Sequence, residues 1–494
     1  MLARVVTVLL VGVCGTALAQ GTLVSAAREG DRSAAVALLA ERADPNQSEA
    51  DGTTALHWAV HNDDAELVKR LVAAGADATA ANDYGATPIA EAAVAGNIAV
   101  LEALLEAGAH PDSPNTDGQT ALMVVARTAN VAAADLLIEH GANVNAREER
   151  KGQTALMWAV AQSQPKMVAT LLKHGAEVEA RSTVNEWERL VTAEPRQKNL
   201  MSGGFTPLLY AARQGCGDCA QLLLDAGAQV DLTDPDGVTP LLSALLNAHF
   251  DTATLLLERG ANPNKWDWWG RTPLYSAVDF NTLPHGGRPD RLSLDDTTSL
   301  QMIDILLAAG ANVNAQLKLF PPYRSLRMDR GADTVLDIGT TPLLRAARGA
   351  DLDAIEKLVA RGALVDLPQQ AGITPLMVAV GAGASATDTR GKFRTELDAL
   401  ATADALLAAG ASVGVRDERG RTALHYAAAL GYTDVAKVLA ERGAGLTVAD
   451  VDGVTPLDAA LGKLRGRGRG PGTVYTATAE LLQALLAAGA AAAP

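Results

Sequence analysis

The strongest constraint on the fold of this chain is a four-residue pattern that returns about every 33 residues. The pattern reads Thr, then Pro or Ala, then Leu or Ile, then any residue, and it begins at Thr54, Thr87, Thr120, Thr154, Thr206, Thr239, Thr272, Thr341, Thr374, Thr422 and Thr455. Seven of the ten successive spacings are 33 or 34 residues, and the other three exceed 33 by 19, 36 and 15. A fixed period of this length indicates a tandem array of small structural units, and the longer spacings indicate insertions.

A second marker, a Gly-Ala pair after a leucine-rich stretch, recurs near the end of each unit. Its glycines are Gly75, Gly108, Gly141, Gly175, Gly227, Gly260, Gly310, Gly362, Gly410, Gly443 and Gly489. These glycines mark eleven units. A twelfth unit, over residues 20–50, carries Arg42 where the others have Gly, and we interpret it as an N-terminal cap.

Residues 118–145 show what one unit can form. Thr120 can cap a first helix, and the apolar residues 136–138 lie on one side of a second helix that ends before Gly141. Residues 143–145 then predict a turn or a short hairpin. A helix pair this small cannot bury its own apolar face, so it must stack on its neighbours. The sequence therefore predicts an all-α solenoid of about twelve helix-turn-helix units.

Charge and composition narrow the classes of function. The chain has 42 Lys and Arg against 57 Asp and Glu, a formal net charge of -15, which argues against nucleic acid as the main partner. Aromatic residues make up only 4%, which is low for one thick core. Ala and Leu carry the apolar content instead, and this favours thin layers of closely packed helices.

Residues 1–19 have the features of a cleavable signal peptide. A basic start precedes an apolar run over 5–13, and a small-x-small cleavage motif precedes Gln20. The signal peptide predicts export, and no later apolar stretch reaches the ~18 residues of a membrane-spanning helix. We therefore expect the mature chain to be periplasmic or secreted. Lipidation at Cys14 is the alternative, and the bulky Val13 before it argues against that reading.

The repeat motifs resemble those of a known family. The segments TALHWAV at Thr54, TPLLYAA at Thr206 and TALHYAA at Thr422, with GADATA, GANVNA and GANPN tails, resemble ankyrin repeats over nearly the whole mature chain. The chain is also similar to secreted bacterial ankyrin-repeat proteins. The resemblance implies short β-hairpin fingers between helix pairs. It further implies that the chain binds a protein partner through its fingers and concave helix face. We expect a monomeric, non-enzymatic scaffold without a cofactor.

Insertions interrupt the single solenoid predicted for 20–494. The repeats occupy 51–180, 204–315 and 339–489. The insertions at 181–203 and 316–338 follow a Gly-Ala tail and lengthen a finger, whereas those at 281–298, 381–396 and 462–476 lie between the two helices of a unit. Irregular loops on a regular scaffold are candidates for binding, and neutral surface variation is the alternative.

The sharpest local signal is the tryptophan finger, residues 266–271, which holds three of the six Trp. Trp and Arg dominate interface hot spots, and the next finger insertion adds two aromatic residues and another Arg. The candidate partner-binding residues are Trp266, Trp268, Trp269, Arg271, Phe320, Tyr323 and Arg324. Packing of the tryptophans beneath that insertion is the alternative. Trp187 and Phe205 are weaker candidates, for which a structural role is favoured.

Cys216 and Cys219 form a C-x-x-C pair and are the only cysteines left after the predicted cleavage. In an oxidising compartment they predict a local disulfide. Two small packing residues are one alternative, and a redox-active or metal-binding pair is the other. Its position at the start of a second helix, rather than after a strand, argues against a thioredoxin-like motif.

No catalytic constellation stands out in the sequence. His57 and His61 have a spacing that can place two imidazoles on one metal, but no third ligand is evident, and the resemblance implies that His57 orders the turn. We therefore predict no metal and no cofactor. Arg465, Arg467 and Arg469 lie in a glycine-rich tract that predicts a solvated loop, with attraction to an anionic polymer or lipid as the alternative.

Overall fold

The computed structural model describes residues 21–185, 203–282, 293–319, 335–383, 395–464 and 472–491. Two compact units divide the chain, one made of Met1–Arg150 with Lys173–Gly175 and the other of Lys151–Leu172 with Ala176–Pro494. The described residues form 24 α-helices, which confirms the predicted helical repeat fold. None of these helices combines the length and apolar character needed to span a membrane. That the array is continuous over 20–494 stays a prediction.

The helices follow one another in pairs along the chain. The first eight are α1 (Leu23–Arg28), α2 (Arg32–Ala40), α3 (Ala55–His61), α4 (Ala65–Ala73), α5 (Pro88–Ala95), α6 (Ile98–Glu106), α7 (Ala121–Arg127) and α8 (Val131–Glu139). The next eight are α9 (Ala155–Ala161), α10 (Pro165–Lys173), α11 (Pro207–Gln214), α12 (Gly217–Asp225), α13 (Pro240–Leu246), α14 (Phe250–Glu258), α15 (Pro273–Thr282) and α16 (Ser299–Ala308). The last eight are α17 (Pro342–Gly349), α18 (Leu352–Ala360), α19 (Pro375–Ala379), α20 (Glu396–Ala408), α21 (Ala423–Leu430), α22 (Thr433–Glu441), α23 (Pro456–Ala460) and α24 (Thr476–Ala491).

The recurring threonine begins the first helix of each pair. In α7 the Oγ1 of Thr120 accepts a hydrogen bond from the Met123 N–H at 3.4 Å. This bond satisfies one of the amides that a helix start leaves without a partner. In several repeats proline occupies the first helical position, as Pro88 does in α5, where its fixed φ suits the helix and its missing N–H costs nothing.

The second helix of each pair has its own start and stop. The Asn130 side chain accepts the Ala133 N–H at 3.1 Å and begins α8. After α8 the chain turns at Gly141 with φ of 89°, a left-handed conformation that costs glycine least. In the cap unit Arg42 takes this place with φ of 66°, so a residue with a Cβ adopts the same turn there.

Alanine lets the first helices lie close together. The alanines at the sixth position of the repeat pattern have no exposed surface, and they are Ala59, Ala92, Ala159, Ala211, Ala244, Ala277, Ala346, Ala379, Ala427 and Ala460. A small residue there allows helices of neighbouring repeats to approach. Larger side chains such as Leu56 and Leu71 are fully buried as well. Burial is therefore shared between repeats, which is why no single pair is expected to be stable alone.

The fingers are turns rather than strands in the described residues. In one finger the Asn82 N–H donates to the Ala86 carbonyl at 3.1 Å, and the Asp83 N–H donates to the Asp51 carbonyl of the preceding finger at 2.8 Å. One main-chain bond to the preceding finger is too few for a β-ladder. An isolated antiparallel bridge joins Ser48 and Thr54 in the finger before that. The predicted β-hairpin fingers are accordingly reduced to tight turns.

Both finger insertions leave the turn at the same point. The Ser182 N–H donates to the Phe205 carbonyl at 3.0 Å and the Gly204 N–H donates back to the Ser182 carbonyl at 3.2 Å, as the two ends of an ordinary finger do. At the second insertion the Leu317 N–H donates to the Thr340 carbonyl at 3.0 Å. The base of each insertion is therefore closed, so the helix pairs on either side keep their regular connection.

The inter-helix insertions alter the helices beside them. Helices α19 and α23 have 5 residues each, and α20 and α24, which follow the insertions, have 13 and 16. The end of the first of these insertions contacts the start of α14, where the Asp251 carboxylate accepts the Asp296 and Thr297 N–H groups at 3.0 Å each. At the last one the Gly472 N–H donates to the Gly462 carbonyl at 3.1 Å and closes the loop at its base.

Candidate functional site

The tryptophan finger is a tight turn between α14 and α15. The Asp267 N–H donates to the Arg271 carbonyl at 3.2 Å, and the Gly270 N–H donates to the Asp267 carbonyl at 2.8 Å. The Trp268 N–H donates to the Asp236 carbonyl of the preceding finger at 2.8 Å. The finger is therefore held both within itself and against its neighbour.

A buried carboxylate fixes the conformation of this turn. The Oδ1 of Asp267 accepts the Trp269 and Arg271 N–H groups at 3.1 and 2.9 Å, and its Oδ2 accepts the Arg271 Nε–H at 2.6 Å. The Asp267 side chain has no exposed surface. Burial raises the pKa of Asp267, and the charge of Arg271 opposes that rise. Both residues serve the shape of the turn, so Arg271 is less available to a partner than the sequence suggested.

The three tryptophans have different surroundings. Trp266 and Trp268 remain 49% and 44% exposed. Trp269 is half-buried: the Arg271 guanidinium carbon lies 5.1 Å from its ring centroid, and its carbonyl accepts the Lys318 N–H at 2.9 Å. The two alternatives for this finger therefore apply to different residues, since Trp269 packs within the protein while Trp266 and Trp268 face solvent.

The outer surface of the tryptophan finger is positively charged. The Lys318 ammonium lies 3.1 Å from the Trp266 ring centroid, and Lys265 is exposed beside it. The nearby carboxylates of Asp236 and Asp267 are buried. A cationic and aromatic surface thus lies on a chain whose net charge is -15. Sequence reasoning missed Lys318, because an insertion and a whole helix pair separate it from the finger.

Several predicted residues lie outside the described part of the chain. They are Phe320, Tyr323, Arg324, Trp187, Arg465, Arg467 and Arg469. Phe205 is described, and its ring lies 5.4 Å from that of Tyr210, with the Arg213 guanidinium carbon at 5.7 Å. These contacts agree with the structural role favoured for Phe205.

A second carboxylate with this turn geometry, the half-buried Asp234, lies in the finger before the tryptophan finger. The Oδ1 of Asp234 accepts the Asp236 and Val238 N–H groups at 2.9 and 2.8 Å, the same turn geometry as at Asp267. Val238 occupies the place that Arg271 has in the tryptophan finger, so this carboxylate gains no arginine from its own turn. Burial, with the charges of Asp236 and Asp267, raises the pKa of Asp234 to about 6.

We expect Asp234 to make the second unit less stable as the pH rises. Because its folded pKa is raised, its contribution is fully present below the ordinary pKa of 3.8 and is lost as the pH passes through about 6. One pKa unit is worth about 1.4 kcal/mol, so the loss amounts to about 3 kcal/mol. Asp234→Asn keeps the acceptor oxygen that Asn82 and Asn115 supply in other fingers. In urea unfolding at pH 4.5 and 8, the free energy of unfolding should depend less on pH in this variant than in the parent protein. A similar reduction in the control Asp353→Asn, an exposed carboxylate of α18, would contradict this assignment.

Comparison with known families identifies the repeats. The family described as "Ankyrin repeats (3 copies)" matches residues 23–115, 107–182, 208–317 and 396–467, which together cover more than half of the chain. The chain belongs to the ankyrin-repeat family. Ankyrin repeats are generally interaction domains rather than catalytic ones, and this match indicates no catalytic family.

Similar curated proteins share the repeats over limited lengths. Human inversin is 40% identical over 113 residues, 23% of this chain and 9% of inversin. The neurogenic locus notch homolog protein 1 of Xenopus tropicalis is 31% identical over 187 residues, 33% of this chain and 6% of that protein. Human ankyrin repeat domain-containing protein 63 is 36% identical over 106 residues, 22% of this chain and 24% of that protein. The chain thus spans only a small part of the first of these relatives.

Solved ankyrin-repeat domains are similar over about half of the chain. The ankyrin repeat domain of human ASB11 covers 49% of this chain and 99% of its own, with 24% sequence identity and a TM-score of 0.40. The ankyrin repeat domain of Bcl-3 covers 45% of this chain and 93% of its own, with 28% identity and a TM-score of 0.38.

The histidines of the first ankyrin repeat have separate partners. His57 Nδ1 lies 2.8 Å from the Thr54 Oγ1 and accepts the Thr54 N–H at 3.2 Å, while its Nε2 lies 3.1 Å from the Ala86 carbonyl. Burial lowers the pKa of His57, which favours a neutral ring in the turn. His61 instead lies 2.9 Å from Glu91. Within the described residues no group of His, Cys, Asp or Glu has a metal-binding arrangement.

A buried ionisable cluster joins the last two fingers of this ankyrin array, and the sequence patterns did not predict it. The Arg421 Nε–H donates to the Asp450 Oδ2 at 3.0 Å, and the Tyr426 hydroxyl donates to Asp417. Burial and the bond to Asp417 raise the pKa of Tyr426, so it stays a hydrogen-bond donor. Asp417 also accepts two main-chain N–H groups, so its acceptors are used within the protein. The Arg421–Asp450 ion pair links one repeat to the next.

Proposed function

We propose that this ankyrin-repeat chain is an exported, non-enzymatic scaffold that binds a protein partner through the tryptophan finger. The observation that carries the proposal is the pair Trp266 and Trp268, two half-exposed indoles on a turn held by main-chain bonds. The concave helix face and the insertion loops, which the ankyrin resemblance also implies as binding surfaces, belong to the same proposal.

The energetics favour binding at these two side chains. At about 25 cal/mol per Å², covering ~100 Å² of apolar surface on one indole stabilises a complex by about 2.5 kcal/mol. Because the buried Asp267 already fixes the turn, a partner orders little additional structure on binding. Tryptophans on a rigid support are therefore efficient anchors for a protein interface.

The surrounding charges indicate which partner surface fits. Lys265 and Lys318 flank the exposed indoles, while the carboxylates of Asp236 and Asp267 are buried. A partner surface with acidic residues around an apolar pocket would complement this finger, and its association rate would fall as salt is added.

Site-specific photo-crosslinking tests this proposal. A photoreactive residue in place of exposed Lys265 should cross-link a protein from extracts of the producing cells. The same residue in place of exposed Lys166, at the start of α10 and away from the fingers, should yield much less of that product. Equal cross-linking at both positions, or none at Lys265, would place the interface elsewhere.

Export is a separate part of the proposal and has its own test. It is supported by the signal-peptide features of residues 1–19 and is compatible with the bonded cysteines described below. Protein isolated from the periplasm or medium should begin at Gln20. A chain that keeps its first residues in the cytoplasm would contradict export, and a lipid-modified Cys14 would replace it with membrane anchoring.

A further inference from the structure

The cysteine pair at the turn between α11 and α12 has no role in the proposed tryptophan-finger interface. The Cys216 and Cys219 sulfurs are bonded to each other, with the Cα atoms 5.2 Å apart and a sequence separation of 3. Such a bond closes one helical turn and joins no two repeats. A loop this short restricts the unfolded chain very little, so the bond is a weak structural crosslink.

Cys216 also replaces the residue type that begins the second helix elsewhere. In other repeats a side-chain oxygen accepts an amide of the first turn, from Asp31, Asp64, Asn97, Asn130 and Asp351. At α12 the Cys219 N–H instead donates to the Cys216 Sγ at 3.3 Å. Neutral sulfur is a weak acceptor, but a thiolate at a helix N-terminus is favoured by the donor and the helix dipole. Reduction would therefore create the anion that this position stabilises.

The two cysteines differ in access. Cys216 is 8% exposed and Cys219 is fully buried. The intervening Gly217 has open space on the side where a Cβ would lie, so a small molecule can approach the turn there. This asymmetry suits a pair in which one sulfur reacts with an external thiol and the other closes the bond again.

We propose that Cys216 and Cys219 form a redox-active site that exchanges with thiols of the glutathione class. An incoming thiolate attacks the Cys216 Sγ, the bond to Cys219 breaks, and Cys219 leaves as a thiolate that takes a proton from water. A second thiolate then attacks the external sulfur of the mixed disulfide, which releases Cys216 and forms the external disulfide. Two electrons pass from two external thiols to the pair. The site is independent of the proposed tryptophan-finger interface.

The test uses reduced and oxidised glutathione as the probe on the full chain carrying Cys14→Ser. In buffers of increasing reduced glutathione, alkylation and intact mass should show the pair passing from disulfide to dithiol. With oxidised glutathione, Cys219→Ala should gain one glutathione per chain on Cys216. Cys216→Asp should gain less than a tenth as much on the buried Cys219. A pair that stays bonded in excess reduced glutathione, or equal labelling of the two variants, would overturn the proposal.

Both variants use residues that the array already places at these positions. Asp begins the second helix at Asp31, Asp64 and Asp351, and Ala follows three residues after the cap at Ala34, Ala133 and Ala354. Thermal unfolding by circular dichroism should therefore be close to that of the parent. If Cys219→Ala unfolds at a much lower temperature and takes up no glutathione, the pair is a structural bond. Partner cross-linking at Lys265 should be unchanged in both variants, which separates this proposal from the proposed function.

Discussion

Replacing both Trp266 and Trp268 by alanine is expected to weaken partner binding by about a thousandfold. Each hot-spot tryptophan contributes about 2 kcal/mol, and about 4 kcal/mol in total corresponds to that loss of affinity. Both indoles are about half exposed in the free protein, so their removal should leave the temperature of unfolding nearly unchanged. An equilibrium titration with the partner identified by cross-linking, together with a thermal melt, measures both quantities.

Tyr84→Ala is the matched control for this experiment. Tyr84 is 68% exposed on another finger, so its substitution removes an exposed aromatic side chain that is not part of the tryptophan finger. Its effect on affinity should be below about threefold, the range of a surface substitution outside an interface. If the double tryptophan variant binds as well as the parent, the tryptophan finger is not the interface.

Arg421→Ala is expected to remove about 3 to 5 kcal/mol from the free energy of unfolding of the C-terminal repeats. The Arg421 side chain is 9% exposed and that of Asp450 is fully buried, so the substitution leaves a buried carboxylate without its cation. Burial disfavours the charged form of Asp450, but the Val454 N–H and Arg421 together hold its pKa below the ordinary value of 3.8. The stabilisation is therefore present at neutral pH and is lost as the pH falls below that value.

Urea unfolding and hydrogen exchange measure this loss. Because each repeat contacts mainly its neighbours, exchange should rise first in α21 to α24 rather than uniformly. Arg419→Ala, which removes an exposed arginine from the same turn, should change stability by less than about 0.5 kcal/mol. Equal destabilisation by the two substitutions would show that Arg421 acts only as a surface charge. As the pH falls below 3.8 the difference between them should shrink, because the lowered pKa of Asp450 then contributes less to stability.

The sequence predicted the helical repeats because their signals are local. Thr120 caps α7 through an amide three residues later, and Gly141 ends the unit through its own backbone angle. The role implied for His57 in the turn also agrees with the structure, since its main partner Thr54 is three residues away. The β-hairpin form of the fingers was not borne out in the described residues, because pairing depends on how many bonds the neighbouring finger can supply.

The sequence predicted where the tryptophan finger lies in the chain, but it did not predict which of its side chains are exposed. Its content of Trp and Arg predicted a binding site, but composition does not distinguish Trp269, which contacts Arg271, from the two exposed indoles. The ring of Trp266 meets Lys318 from the next finger, which the chain reaches only after another helix pair and an insertion.

The amino-acid sequence by itself determined the repeat period, the helix starts and stops and the places where the array is interrupted, because caps, turns and apolar spacing act within a few residues. Only the tertiary structure decided which finger side chains face solvent, which carboxylates are buried and which cation each buried carboxylate contacts. Arg421 and Asp450 are 29 residues apart in the chain and form their ion pair only when two repeats stack. Contacts of that kind depend on the relative placement of whole repeats, and no local pattern of residues specifies them.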